Sequence, residues 1–391
     1  MFNLTKMLTE FNTYGDKLRY NKDCKNSPTG TRAGLGPVVV WNINSRCNLN
    51  CKHCYSNSTA VKKKETLNTK EGFDLIDQLA DYKVPVLLLS GGEPLFRPDL
   101  FKLIKKANSR NMRVVISTNG TLLTEKMANK LSSLGVSYIG ISLDGMQQVN
   151  DQFRGKKGAF KSALRGIRNC QKYEQKVGLR FTINQNNYKE LDDIFQLVER
   201  ENIPRICFYH LVYSGRGKNI KEAELSDQAK KETIDKIIKW TQYFIDQDNP
   251  KEILTVDNHA DGAYLYLKTK KRNKKRAEYI YDQLLKSGGN RSGSAVANID
   301  HRGNVYADQF SRFTTLGNIK EDTFSEIWQG ENNEFLNKLR NRKNHLKGRC
   351  SNCKFLDVCN GNLRARAYAV GDLWGSDPGC YLNDQEIGGD L

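Results

Sequence analysis

Residues 47 to 54 read Cys-Asn-Leu-Asn-Cys-Lys-His-Cys, with three residues between the first two thiols and two between the last pair. Three cysteines are one too few for a closed site. A cubane [4Fe-4S] cage has four irons, so three thiolates hold it and leave one iron free for a ligand that is not protein. Structural zinc asks for a fourth protein ligand, and His53, directly before Cys54, is poorly placed to reach the same tetrahedron. The run follows the apolar stretch Pro37 to Ile43, which puts the thiols on a loop at the C-terminal end of a strand. Barrel-type α/β folds carry their chemistry at that end.

Working outward, 391 residues are enough for one large α/β unit and a smaller appendage. Seven of the ten cysteines fall into two groups, Cys47 to Cys54 and Cys350 to Cys380, a usage that points to metal in a reducing compartment rather than to disulfides. No apolar run reaches membrane-spanning length and Met1 to Lys6 lacks a signal-peptide core, so the expectation is a soluble, cytoplasmic protein. The net charge of +18 comes from 62 Lys and Arg against 44 Asp and Glu. Much of that excess is lysine scattered through helices and their flanks, a solvated surface rather than a nucleic-acid stripe.

From Pro37 a short β-branched or apolar run alternates with an amphipathic helix. The expected strands are Val38 to Asn44, Val84 to Ser90, Arg113 to Thr118, Tyr138 to Leu143, Gly178 to Asn184 and Ile206 to Val212. The intervening helices span about Thr69 to Ala80, Pro98 to Ser109, Thr124 to Leu134, Phe160 to Tyr173 and Tyr188 to Glu201. This alternation dictates parallel strands with right-handed crossovers. Four segments follow: a polar lead segment without clear periodicity (1–36, containing an unassigned Cys24), an α/β core (37–218), a helical linker (219–294) and a C-terminal domain (295–391). The linker carries helices near Leu225 to Asp246 and Ala277 to Ser287. The C-terminal domain opens with a hairpin, Ala295 to Asp300 and Asn304 to Asp308, turned by His301-Arg302-Gly303, and continues in one helix from Thr323 to Arg340. Cys350, Cys353, Cys359 and Cys380 then supply ligands for one closed site, a cluster or a structural zinc.

The three-cysteine spacing resembles the signature of the radical S-adenosylmethionine (SAM) enzymes. Gly91-Gly92-Glu93-Pro94, Ser117-Thr118-Asn119-Gly120, and Ile141-Ser142-Leu143-Asp144-Gly145 with Arg154 resemble the cofactor-contacting segments of that superfamily, in its order. The resemblance implies a partial (β/α)6 barrel, TIM-like and open on one side. It also implies a [4Fe-4S] cluster on Cys47, Cys51 and Cys54 whose free iron chelates SAM, and cleavage of SAM to a 5′-deoxyadenosyl radical with electrons from a donor such as flavodoxin or ferredoxin. By the same resemblance Gly91 and Gly92 admit the methionine moiety, Glu93 accepts from its ammonium, Arg154 pairs with its carboxylate, and Asn119 and Ser142 meet the ribose. His53 stacks or hydrogen-bonds near the adenine, or caps the loop.

The tail resembles the SPASM/Twitch extension, whose fuller form carries seven cysteines and two auxiliary clusters. Here Leu363 and Asp308 stand where two of those thiols belong, which leaves ligands for one auxiliary cluster and two clusters in all.

Three further segments are Tyr209 to Gly217, Asp257 to Gly262 and Gly288 to Gly293. With Asp377-Pro378-Gly379-Cys380-Tyr381-Leu382 they resemble the radical enzymes of haem biosynthesis that trim sirohaem-derived iron tetrapyrroles. That group includes 12,18-didecarboxysirohaem deacetylases and enzymes of haem d1 biosynthesis, so the arms removed are acetates or propionates. A multiply carboxylated macrocycle calls for guanidinium forks, with Arg180, Arg205, Arg216 and Arg291 as candidates, and for His210 or His259 as an axial ligand or proton carrier. A peptide-modifying radical enzyme is the rival reading.

Overall fold

The computed structural model describes residues 1–13, 15–21, 27–61, 65–330 and 332–388; Cys24 lies outside them. Eleven strands form one sheet: β1 Phe2–Asn3, β2 Val38–Asn44, β3 Val86–Gly91, β4 Arg113–Thr118, β5 Tyr138–Ser142, β6 Val177–Ile183, β7 Arg205–His210, β8 Glu252–Val256, β9 Val296–Ile299, β10 Asn304–Tyr306 and β11 Gly317–Asn318. Their spatial order is β1-β8-β7-β6-β5-β4-β3-β2-β9-β10-β11. The run from β9 through β2 to β8 is parallel throughout, and β1, β10 and β11 add antiparallel edges.

The six expected strands and their crossover helices are all present within a few residues of where periodicity puts them. Alternation sorts their side chains. Val39, Trp41, Ile43, Leu87, Leu89, Val114, Ile116, Ile139, Ile141, Leu179, Phe181, Ile206 and Phe208 lie in the main core with the apolar stripes of the helices. The opposite, inner face carries Asn42, Ser90, Arg180 and Tyr209. The helix ends follow local chemistry: Asn68 and Glu71 close a capping box at the start of Thr69–Asp81, and Thr124 caps Glu125–Ser133.

Three expectations need correction. The lead segment is structured: β1 pairs with β8 (Phe2 opposite Thr255), and the helix Leu4–Thr9 buries Leu4 and Met7. The stretch 219–294 is not purely helical, because Glu252–Val256 extends the parallel sheet beside β7 and is followed by a further helix, Ala260–Lys270. The single helix over 323–340 is two, since Gly330 adopts φ 64° after Phe324–Gln329 and Asn333 caps a new start at Glu334–Arg340. Among the described residues no helix is long and apolar enough to cross a membrane.

Candidate active site

The cluster loop begins where β2 ends and is fastened by three neighbouring segments. Gly92 N donates to Asn44 O and Glu93 N to Arg46 O, each at 2.8 Å. Gly91 has φ 121° and a Cβ there would lie 2.6 Å from Asn44 O, while one on Gly92 would sit on Arg46 O. These glycines are therefore required by close approach of the chain's own backbone at Asn44 to Arg46. From the second side, Asn50 N and Lys52 N donate to the carbonyls of Arg154 and Phe153, at the end of the helix Gln147–Arg154. From the third, Arg216 reaches back from the loop after β7: its Nε donates to Cys51 O and its Nη1 to Ser58 O, both at 2.8 Å.

Held in this way, Cys47, Cys51 and Cys54 gather in a small apolar group with Leu49 and Ala159. Burial pushes the Cys47 thiol up to about 12 and raises that of Cys51. At Cys54 burial acts in the same direction but is outweighed by hydrogen bonds from Ser56 and Ser58 and the charge of Arg216, so its pKa is lowered. Around the thiols stand the expected cofactor residues. Asn119 Nδ2 lies 3.8 Å from Cys47 Sγ and 2.8 Å from Asn48 Oδ1. Arg154 places Nη1 3.6 Å from Cys51 Sγ and is ion-paired with the fully buried Asp144. His53 stacks on Phe153 at 4.6 Å with Nε2 3.6 Å from Asp144, and burial lowers its pKa to about 4. Glu93 is fully buried, its carboxylate accepting from Thr118 Oγ1 (2.6 Å), Asn119 N (2.9 Å) and Leu95 N (3.1 Å). Burial without a cationic partner among the described residues pushes its pKa up to about 7. Ser142 ends β5 in register with Arg180 of β6.

A three-thiol loop, an arginine beside it and a buried carboxylate bonded to Asn119 N are the features to set against known families. A profile of the radical SAM superfamily covers residues 41–198, and one of the SPASM iron-sulfur cluster-binding domain covers 291–354. The chain is 49% identical to "Fe-coproporphyrin III synthase" of Methanosarcina barkeri over 380 residues, 95% of each chain. The chain belongs to the radical SAM superfamily. It is 41% identical to "Pre-heme d1 synthase" of Dinoroseobacter shibae, covering 92% of this chain and 91% of that one. In fold it is similar to Streptococcus suis SuiB, solved with S-adenosylmethionine, at TM-score 0.69 and 16% identity over 88% of this chain and 77% of that one. As a radical SAM enzyme of haem biosynthesis it takes SAM and a [4Fe-4S] cluster, in a partial-barrel core followed by an auxiliary-cluster domain.

The auxiliary site fits its cluster. Cys350, Cys353, Cys359 and Cys380 line one pocket whose barrel-side wall is Ala260 and Ala263. Four thiols around one pocket supply the ligands for one closed cluster, the group that the SPASM iron-sulfur profile implies. Where the fuller extension would hold another cluster, Leu363 packs instead with Val212, Ala365, Phe310 and Phe313. Asp308 caps the same loop, accepting from Phe310 N (2.8 Å) and Ser311 N (2.7 Å). Apolar side chains thus surround Leu363, while Asp308 is taken up by backbone amides and the Ser292 hydroxyl.

The structure separates the remaining candidates. Arg216 is engaged by the cluster loop, and Arg291 donates to the carbonyls of Thr31 (2.9 Å) and Gly30 (2.6 Å). Arg205, the first residue of β7, lies over Tyr138 (4.6 Å) and pairs with Glu252 (3.5 Å) at the end of the barrel away from the thiols. His210 is turned away from the inner face: opposite Ile183 of the core, it bonds Asp261 Oδ2 at 2.9 Å, and Tyr381 Oη donates to Oδ1 of the same carboxylate. All four side chains are engaged by the protein's own groups. His259 stands at the N-terminus of the helix Ala260–Lys270 with its imidazole held neutral by burial, its pKa well below the usual value. Arg180 keeps to the inner face. Sequence reasoning missed Arg312, because nothing in its local pattern announces that the loop after β10 folds over the sheet.

Proposed function

We propose that the protein removes peripheral acetate arms from a sirohaem-derived iron tetrapyrrole, as a 12,18-didecarboxysirohaem deacetylase that yields Fe-coproporphyrin III. The observation that carries this reading is the 49% identity over 95% of both chains to a relative named Fe-coproporphyrin III synthase, against 41% to a pre-haem d1 synthase. The site chemistry supports it, since an inner face bearing cationic side chains suits a multiply carboxylated macrocycle.

When bound, the cluster and SAM supply one-electron chemistry that delivers a hydrogen-abstracting deoxyadenosyl radical. The chain's own residues position and shield. Cys47, Cys51 and Cys54 hold the cage, and the three backbone fasteners keep their loop in place. In this reading Arg154 and Glu93 meet the carboxylate and ammonium of the methionine moiety, and Asn119 and Ser142 meet the ribose. Arg180 binds a substrate carboxylate, and the neutral imidazole of His259 is a ligand of the right form for iron. Cys350, Cys353, Cys359 and Cys380 hold the second cage at the barrel's edge, where electrons enter or leave. A low-potential flavodoxin or ferredoxin serves as donor.

The test is anaerobic reconstitution, incubation with didecarboxysirohaem, SAM and reductant, and mass analysis of the tetrapyrrole. The expected product is Fe-coproporphyrin III, with 5′-deoxyadenosine released in step. A product lacking propionate arms, or turnover that survives Cys51→Ala, would overturn the reading.

A further inference from the structure

Two guanidinium groups stand on the inner face of the barrel near the cluster loop, and neither pairs with a carboxylate among the described residues. Arg180 projects from the middle of β6, with its guanidinium 4.7 Å from the centre of the Tyr209 ring. Its neighbours on the strand, Leu179 and Phe181, face the helical side and are fully buried. Gly140 on β5 makes room for it, since a Cβ there would come within 2.8 Å of Arg180 Cδ. In register it lies beside Ser142, the end of β5 that faces the SAM-binding loops.

Arg312 comes from the loop that Asp308 caps. Its Nη2 donates to Asn42 Oδ1 at 2.8 Å and lies 3.4 Å from Asn298 Oδ1, while Nε reaches Gln309 O at 3.2 Å. Its guanidinium sits 5.6 Å from the centre of the Tyr55 ring and 5.7 Å from that of Tyr306. Tyr55 directly follows the cluster ligand Cys54 and is fixed by Asn42 Nδ2 (3.0 Å) and Ser90 Oγ (3.3 Å). The electrostatic field of Tyr55 also reaches Arg180. Arg312 therefore stands over the aromatic ring that adjoins the third thiol, and Arg180 faces the same barrel interior from β6, four strands away from β2 in the sheet.

Neither makes an ion pair among the described residues, although the charge of Asp257 reaches Arg180, and a half-buried guanidinium with no carboxylate in contact retains donors. Two such groups on the inner face of one barrel, one of them over the ring next to Cys54, have the chemistry of a receptor for a dicarboxylate. Resting on the function proposed above, we propose that Arg180 and Arg312 form a two-point clamp for carboxylate arms of the iron tetrapyrrole, orienting the macrocycle over Tyr55.

The probe is Fe-coproporphyrin III, titrated by absorbance into reconstituted protein, with its tetramethyl ester as the uncharged control. Charge-assisted pairs of this kind predict that Arg180→Gln and Arg312→Gln each weaken binding of the acid by about tenfold or more, with the ester bound equally by all three proteins. Arg312→Lys, which keeps charge but not the fork, should fall between. Acid binding within about twofold of the unaltered protein in both Gln variants would overturn the clamp alone. So would an equal loss for the ester, which would mark a packing role, or loss of the SAM-induced change in the cluster's electron paramagnetic resonance signal, which would assign the arginines to SAM. An unaltered protein that binds neither compound would overturn the functional reading and the clamp with it.

Discussion

Arg216 Nε donates to Cys51 O at 2.8 Å, so a residue on the loop after β7 holds the middle ligand of a cluster whose loop starts at the far side of the sheet. The same side chain bonds Ser58 O, its backbone N–H bonds Cys54 O at 3.0 Å, and the preceding Gly215, at φ 57°, rests on the carbonyls of Cys54 and Tyr55. Removing the fork leaves two buried carbonyls without their charged donor, a loss of about 1.5–3 kcal/mol for each bond. Arg216→Ala is expected to fold but to lose most iron from the first site on reconstitution. Arg216→Lys should rescue little, because one ammonium cannot span both carbonyls. Iron content per chain and the SAM-dependent resonance signal check this.

Cluster stoichiometry separates the two cysteine groups. With two cubanes the reconstituted protein holds about eight irons. Cys51→Ala and Cys353→Ala should each reduce this by about half, and only the former should abolish SAM cleavage. One zinc in place of the second set of irons would refute the auxiliary cluster.

Arg366 and Asp377 form a fully buried ion pair, with Nε to Oδ1 and Nη2 to Oδ2 both at 2.9 Å. The guanidinium also reaches the carbonyls of Leu211 (3.2 Å) and Asp257 (2.7 Å), while Asp377 accepts from Leu363 N and Gly379 N. This joint fixes the Cys380 segment against the mouth of the barrel. Arg366→Met strands a buried carboxylate and should cost about 3–5 kcal/mol. Burial opposes ionisation of Asp377, but the charge and hydrogen bonds of Arg366 outweigh it and hold its pKa below the usual value of 3.8. Its contribution is therefore complete above about pH 4 and is lost as pH falls through the depressed value. Thermal melts should show acid destabilisation that Asp377→Asn removes.

Glu93 behaves in the opposite sense. Its folded pKa of about 7 lies above the ordinary 4.5, so its contribution to stability is full below 4.5 and declines as pH rises through 7. The difference corresponds to roughly 3 kcal/mol across that window. Cluster-free protein should melt at progressively lower temperature between these values, and Glu93→Gln should flatten the slope. If Glu93 meets the SAM ammonium, saturating SAM should flatten it in the reconstituted unaltered protein.

Much of the site was legible from the chain. The thiol spacings, Gly-Gly-Glu-Pro, Asn119 and Ser142 lie within or just after strands whose two-residue alternation and helical crossovers are local properties. Cys47, Cys51 and Cys54 sit together because eight consecutive loop positions can hardly do otherwise. The roles of the arginines were not legible. Arg180, Arg205, Arg216 and Arg291 are alike as letters, yet one lies on the inner face by the thiols, one at the opposite end of the barrel, one across the cluster loop and one against the carbonyls of Gly30 and Thr31.

The sequence by itself determined the order of strands and helices, the two groups of cysteines and the superfamily, because periodicity and short-range spacing are written within a few residues. Tertiary structure alone decided that β8 and β1 extend the sheet and that His210 faces Asp261. It also decided that Arg312, far from the cluster motif in the chain, stands over Tyr55 beside it. Those outcomes depend on which backbone donors and acceptors meet across long loops, and no local pattern records that pairing.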